Sequence, residues 1–379
     1  MERLARQPNP MTEPNLQICT RCVMDSTDPD IQFDADGICN HCKHYDSVRP
    51  FFGDKKAELQ TLVDKISAAG KNNDYDCVIG LSGGVDSTYV AYRAVKMGLR
   101  PLAVHLDNGW NSEIAVRNIE NIVKKLDIDL HTHVIDWEEF RDLQLSFFKA
   151  SVVDIEMLTD HAIGAVILDV ATSKKIKWMI SGTNLATEAI LPRSWYHSKS
   201  DLKNILAIHK KFGTRKLKTF PMASGFKRKY FYTKIKKIQE LRFLNYIHYD
   251  KAEAMETIKK ELAWQDYGSK HGESVFTKFY QNYILPRKFN LDKRKAHLSC
   301  LICSGQISRA EALLRLEQPL YAPMDLKRDS IFAMKKLGFS ESEFEAYLNA
   351  PPQSHFDYAS ENGLRRFLSR VKKKLLGNS

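Results

Sequence analysis

A six-residue turn, Ser82-Gly83-Gly84-Val85-Asp86-Ser87, stands between a short apolar run at 77–81 and a helical stretch at 88–97 that Gly98 closes. No other feature narrows the fold as much. A strand that passes through two glycines into a helix lets the backbone come close to a bound group. The amides of the turn and of the helix N-terminus then converge on it, which makes the turn an anion site, suited above all to a polyphosphate. Ser82 and Ser87 add hydroxyl donors, and Asp86 offers hard oxygen ligands to Mg2+. The turn has no Gly-x-x-x-x-Gly-Lys, so no lysine follows to grip the outer phosphates, and it has no Gly-x-Gly-x-x-Gly, which argues against a dinucleotide fold.

From residue 76 to 181 strands and helices alternate. Apolar runs at 101–106, 130–135 and 178–181 follow the first strand, with helical periodicity at 112–126, 137–150 and 159–174 between them. This rhythm predicts an α/β fold with a doubly wound parallel sheet, whose ligands sit at the carboxyl ends of the strands. Two further strand ends therefore matter: Asp107-Asn108-Gly109-Trp110, and Gly182-Thr183 with Glu188 downstream. A helix is predicted at 54–70, and beyond residue 191 the chain turns to basic, aromatic-rich helical segments. The expected organisation is an N-terminal extension and cysteine module at 1–50, a nucleotide-binding domain at 51–215 and a mainly helical region at 216–379.

Cys19-x-x-Cys22 and Cys39-x-x-Cys42 lie sixteen residues apart, within the spacing of a two-knuckle zinc site. Four thiolates fill a tetrahedron and leave no open position, so the ion is expected to be structural, in a zinc ribbon. The early residues carry no apolar leader and no stretch is long enough to span a bilayer, so a cytoplasmic protein is expected, where disulfides are disfavoured. Cys300-x-x-Cys303 admits a metal, a sulfur-transfer or a plain packing role. With no second pair to complete a four-cysteine site, packing is favoured, as it is for Cys77 inside the first strand.

Lys and Arg number 57 against 46 Asp and Glu, a formal charge of +11. The excess gathers at 210–218, 227–237, 286–295 and in the tail 365–374, and it suits anionic ligands or partners without choosing among them. Lys270, His271, Glu273 and Ser274, followed by Thr277 and Lys278, form a dense polar cluster, with His271 a candidate proton shuttle. Arg287, Lys288, Arg294 and Lys295 suit a diphosphate or carboxylate. Individually each reads equally well as an exposed helix residue.

The turn at 82–87 matches the Ser-Gly-Gly-x-Asp-Ser signature and so resembles the PP-loop, or ATP pyrophosphatase, superfamily, of the adenine nucleotide alpha hydrolase-like type. The resemblance implies that Ser82, Gly83, Gly84, Val85, Asp86 and Ser87 hold ATP, with Asp107, Asn108, Gly182 and Thr183 also at the nucleotide. It further implies that Asp86 and Glu188 bind Mg2+ and that ATP is cut between its α- and β-phosphates. Taken with Ile18–Asp25, the 181–188 stretch, Tyr267-Gly268-Ser269-Lys270-His271-Gly272-Glu273-Ser274 and Ser304-Gly305-Gln306-Ile307-Ser308-Arg309, the chain resembles the N-acetyl sugar amidotransferase family, the WbpG/PseA type. That resemblance implies conversion of a sugar's acetamido group to an acetamidino group, on a nucleotide-linked substrate, for a lipopolysaccharide O-antigen or related surface glycan. Lys270, His271, Asp86 and Glu188 are then the expected catalytic residues.

No cysteine sits in a glutaminase elbow, and the chain does not open with Met-Cys. The chain then reads as an acceptor-side synthetase, and the resemblance implies a separate glutaminase subunit and an ammonia-channelling subunit, resembling the imidazole glycerol phosphate synthase pair, as partners; nucleic acid is not expected. The alternative is a zinc-ribbon tRNA thiolase, which the basic surface suits. Against it, no cysteine falls between Cys77 and Cys300, and Val85 stands where such loops carry lysine.

Overall fold

The computed structural model describes residues 16–268 and 272–361. Its centre is a five-stranded parallel sheet of β1 (Cys77–Gly80), β2 (Pro101–Asp107), β3 (Leu130–Val134), β4 (Trp178–Ser181) and β5 (Gln239–Arg242), in the order β3-β2-β1-β4-β5. The central strands are continuously apolar because both faces are covered. Val78, Leu102, Val104 and Leu106 enter one core with the helix Met157–Ser173, while Cys77, Ile79 and Ala103 enter a second core with the helix Val85–Lys96. The two-residue period of a strand decides that division. The chain winds from β1 outward through β2 to β3, then returns to place β4 on the other side of β1. The crevice beyond the carboxyl ends of β1 and β4 is thus the topological switch point, where open α/β sheets bind ligands.

Four of the five strands stand where the apolar runs predict them, within a residue or so. β5 does not: Gln-Glu-Leu-Arg has neither alternation nor β-branched residues, and only Leu241 is buried. It is a sheet edge, held by its ladder to β4, and it lies beyond residue 215, in the stretch expected to be helical. The turn's helix also begins earlier than predicted, at Val85, so Asp86 falls in its first turn. The stretch that holds Cys300 and Cys303 forms two helices, Lys293–Cys303 and Arg309–Glu317, parted at Gly305, whose φ of +80° suits glycine. The basic tail at 365–374 lies outside the described residues.

The C-terminal helices are stitched to the sheet's own loops. The Ser112 N–H donates to the Glu273 carbonyl at 2.8 Å, and the Val275 N–H to the Trp110 carbonyl at 2.9 Å. The Gln353 N–H closes onto Ser151 at 2.9 Å. The cysteine module packs on the helix Lys293–Cys303, and from the start of the next helix the Arg309 guanidinium holds the carbonyls of Cys19 and Cys22 at 3.0 Å each.

Candidate active site

The turn after β1 is self-bonded. The Gly84 N–H donates to Ser82 Oγ at 3.2 Å, the two hydroxyls of Ser82 and Ser87 lie 3.2 Å apart, and Thr88 Oγ1 donates to the Gly84 carbonyl at 2.7 Å. Gly83 has a φ of +79°, and a Cβ there would sit 2.9 Å from the Ala115 carbonyl. Glycine is thus required on both counts. Three aromatic residues far along the chain brace the turn. Trp264 Nε1 donates to the Gly83 carbonyl at 2.8 Å, the Tyr249 hydroxyl donates to Asp86 Oδ1, and Tyr267 lies near Gly84. Burial and the neighbouring Asp86 charge push the Tyr249 hydroxyl well above its usual range; burial and Glu273 do the same to Tyr267. Both tyrosines stay neutral donors. No spacing rule finds them.

Beyond β2, Asp107 Oδ1 accepts from the Gly109 N–H at 2.9 Å and from Asn111 Nδ2 at 3.2 Å. Asn108 is buried and donates to Thr159. Beyond β4, a Cβ on Gly182 would meet Asp86 backbone atoms at 3.1 and 3.2 Å, so this strand end lies directly against the phosphate turn. Asn184 caps the short helix Leu185–Glu188 by accepting from the Thr187 N–H at 2.8 Å, and that helix sets the position of Glu188.

These strand ends open on one cavity of about 920 Å³. Ser82, Asn108, Gly182, Thr183 and Glu188 line it from the sheet, and Glu273, Ser274, Thr277 and Arg294 from the C-terminal helices. Such a volume is near the upper end for small-molecule sites. Asp86 is half-buried beside it and faces Tyr249.

Several expected substrate residues stand elsewhere. Lys295 is buried and paired with Asp25 of the cysteine module. Lys288 is buried against the Tyr347 and Ala350 carbonyls at 2.6 Å each, and burial lowers its ammonium to about 8. Arg287 pairs with Glu345 at 3.0 Å, and Lys278 with Asp329 at 3.2 Å. All four basic side chains already have partners within the protein, for which a sequence holds no signal that differs from an anion site. Arg294 does line the cavity, yet its guanidinium already grips Asp292 at 2.8 Å. Lys270 and His271 lie outside the described residues.

The four N-terminal cysteines converge. Their sulfurs all lie within 4.8 Å of one another, with Cys22–Cys39 at 3.6 Å, Cys39–Cys42 at 3.8 Å and Cys19–Cys42 at 3.9 Å. A tetrahedron of about 2.3 Å Zn–S bonds has edges of roughly 3.8 Å, so the set fits zinc without rearrangement. Backbone N–H groups of Cys22 and Cys39 point at Cys19 Sγ at 3.4 and 3.3 Å. The bond from Cys22 and these amides hold the Cys19 thiol below its usual range. Four thiolates close the set, so an ion held there would have no open position. Cys303 lies 3.9 Å from Cys42 outside this set, and Cys300 Sγ accepts from the Ile190 N–H at 3.2 Å. Both are buried, and no cysteine lines the cavity among the described residues.

The turn, the parallel sheet and the cavity at its switch point define a PP-loop protein. Residues 57–219 match the family model "NAD synthase", and residues 273–372 match "LPS biosynthesis protein WbpG-like, C-terminal domain". The chain thus joins a PP-loop domain of the NAD-synthase kind to a WbpG-like C-terminal domain, and the two matches together support the WbpG type. A synthetase-like, ATP-using domain joined to a WbpG-like one is the make-up of an ATP-dependent ligase of lipopolysaccharide biosynthesis. Among solved structures, the NMN synthetase from Francisella tularensis is 18% identical over 58% of this chain and 96% of its own, with a TM-score of 0.29. The NH3-dependent NAD synthetase from Campylobacter jejuni subsp. jejuni NCTC 11168, in complex with the nitrate ion, is 16% identical over 79% of this chain and 98% of its own, with a TM-score of 0.31. No curated protein matches.

Proposed function

We propose that the chain is the synthetase subunit of an amidotransferase that converts the acetamido group of an N-acetylated sugar to an acetamidino group. The observation that carries this reading is the continuity of the cavity. It runs from Ser82 and Gly182 at the phosphate turn to a wall built by the WbpG-like helices, so nucleotide and acceptor share one space.

The chemistry divides into two displacements. The amide oxygen of the acceptor attacks the α-phosphorus of ATP, a P–O bond forms, and the bond to pyrophosphate breaks. The nitrogen lone pair of ammonia then bonds to the activated carbon. The C–O bond breaks, AMP leaves with that oxygen, and the nitrogen gives up a proton. Neither step needs a protein nucleophile; positioning and charge neutralisation suffice. The amides of Gly83 and Gly84 and the hydroxyls of Ser82 and Ser87 hold the polyphosphate, while Asp107, Asn108 and Thr183 frame the rest of the nucleotide. The carboxylates of Asp86 and Glu188 are hard oxygen donors that suit Mg2+, which when bound neutralises the phosphates and the departing pyrophosphate. His271 and Lys270 are assigned proton transfer and acceptor binding.

Ammonia comes from a separate glutaminase through a channelling subunit, and the reaction runs in the cytoplasm. No helix among the described residues is long and apolar enough to cross a membrane. Incubation with ATP, an ammonium salt and a diacetamido nucleotide-sugar should release AMP and pyrophosphate and replace one acceptor oxygen by NH in the mass spectrum. Sulfur incorporated into bulk tRNA, with no change in the sugar, refutes this reading in favour of a thiolase.

A further inference from the structure

Between Asp201 and Glu240 the chain carries ten Lys and two Arg and no Asp or Glu, so this one stretch outweighs the +11 excess of the whole protein. None of it lines the cavity. It ends in a helix of the π type, Lys227–Ile235, whose inner side is fixed to the helix Met157–Ser173. Tyr232 is buried there and its hydroxyl donates to Asp169. Arg228 donates to the His161 carbonyl at 2.9 Å and lies over Gly164, where a Cβ would stand 2.5 Å from the guanidinium.

The outer side is apolar and basic. A π-helix bonds residue i to i+5, so side chains four or five apart share one side. Phe226, Tyr230 and Ile235 have that spacing and are 71%, 47% and 68% exposed. The first two rings lie 4.6 Å apart. Lys229, Lys234 and Lys237 are exposed among them, and Lys177 joins them by donating to the Lys236 carbonyl at 2.9 Å. The carboxylates close by are engaged. Asp169 accepts from Tyr232 and lies 3.6 Å from Lys227, and Glu361 accepts from the Gly225 N–H at 3.0 Å. Among the described residues no carboxylate pairs with Lys229, Lys234 or Lys237. Residues 362–379, which follow Glu361 in the chain, add six Lys and Arg and no Asp or Glu.

Exposed rings and an exposed aliphatic chain among unpaired lysines match the boundary of an anionic bilayer. There the apolar groups leave water for the acyl layer, while each ammonium stays with the phosphates at the end of its apolar stem. Nucleic acid fits less well. Both arginines are taken, Arg228 by carbonyls and Arg215 by Glu138 at 2.9 Å, so no guanidinium fork is offered to a phosphate. Ile235 also gives a base nothing to stack on. Protein interfaces are depleted in lysine, which is the dominant residue here.

We infer that the outer side of the helix Lys227–Ile235 is a membrane-docking surface, which holds the protein on a bilayer rich in anionic phospholipid. Phe226, Tyr230 and Ile235 enter the headgroup boundary, and Lys229, Lys234 and Lys237 meet its phosphates. The inference does not depend on the sugar reading above.

The test is sedimentation of the full chain with vesicles of phosphatidylcholine alone and of a two-to-one mixture of phosphatidylcholine and phosphatidylglycerol. Binding is expected to the mixture only, and should fall roughly tenfold when NaCl is raised to about 0.5 M, because salt screens the lysines from the headgroups. Phe226→Ser with Ile235→Ser, and Lys229→Gln with Lys234→Gln, should each weaken partitioning roughly tenfold. The circular-dichroism melt should stay that of the unaltered chain, since all four side chains are exposed. Phe226→Trp should add emission at shorter wavelength on the mixed vesicles, quenched by brominated acyl chains. No binding to the mixture, equal binding to both vesicles, or unchanged partitioning in both double variants overturns the inference. Retention by bulk tRNA without any vesicle binding overturns it in favour of a nucleic-acid surface.

Discussion

The Tyr249 hydroxyl donates a hydrogen bond to Asp86 Oδ1 across 163 residues of sequence. Tyr249 is itself held from behind, because Gln306 donates to its carbonyl at 3.2 Å and accepts from the Lys251 N–H at 3.1 Å. Three residues on, Arg309 grips the carbonyls of the first cysteine knuckle. An unbroken line of contacts thus runs from the cysteine module to the carboxylate of the phosphate turn. The module serves the site through position, without lining it.

That arrangement separates two substitutions at one contact. Asp86→Asn keeps an oxygen for Tyr249 but loses the charge proposed to hold Mg2+, and AMP formation should vanish while the circular-dichroism melt stays unchanged. Tyr249→Phe removes one hydrogen bond to a charged group, worth about 1.5–3 kcal/mol, and should cost roughly ten- to a hundredfold in pyrophosphate release. Full turnover by Asp86→Asn would show that the cation is held elsewhere.

Zinc content distinguishes the ligands from the bystander. Cys19→Ser and Cys39→Ser should lose bound zinc by elemental analysis and melt at lower temperature, since the ion's binding energy is part of the folding energy. Cys303→Ala should keep one zinc per chain. A chain that stays folded and active after both ligand substitutions, without zinc, contradicts the structural assignment.

Lys295 and Asp25 form a pair in which both side chains are at most 5% exposed. Truncating one partner strands a buried charge, so Asp25→Ala should destabilise the chain by about 3–5 kcal/mol in urea unfolding. Asp25→Leu with Lys295→Met should recover most of that loss. A single substitution costing under about 1 kcal/mol would mean that water reaches the pair.

Two histidines set the acid limit of stability. Burial, before any other cause, lowers His355 to about 3 and His161 to about 4. Each ring spends both nitrogens in the neutral form. His161 donates from Nδ1 to the Lys199 carbonyl at 2.7 Å and accepts at Nε2 from the Ala223 N–H at 3.1 Å. His355 donates from Nδ1 to Asn204 Oδ1 at 2.8 Å and accepts at Nε2 from the Asp154 N–H at 3.2 Å. The unfolded chain protonates near pH 6.5, so below that it binds protons the folded chain refuses. Stability should then fall with falling pH by about 1.4 kcal/mol per unit for each ring, and not change above pH 7 on their account. Urea midpoints between pH 7.5 and pH 5 measure this slope. His161→Gln should flatten part of it.

The sequence alone determined the elements whose cause is local. Continuous apolar runs made β1, β2 and β4, two glycines between a strand and a helix made the phosphate turn, and paired cysteine knuckles made the metal set, because each needs only neighbours a few residues away. What the tertiary structure decided depends on residues far apart in the chain. It drew Gln239–Arg242 into the sheet through backbone bonds that carry no side-chain signature, and brought Trp264, Tyr249 and Tyr267 to the turn. It turned Lys288 and Lys295 inward to carbonyls and a carboxylate, while seating Glu156 and Lys293 on the cavity wall. A charged residue looks the same in a sequence whether it faces an anion or a buried partner. Only the fold fixes which of these it meets.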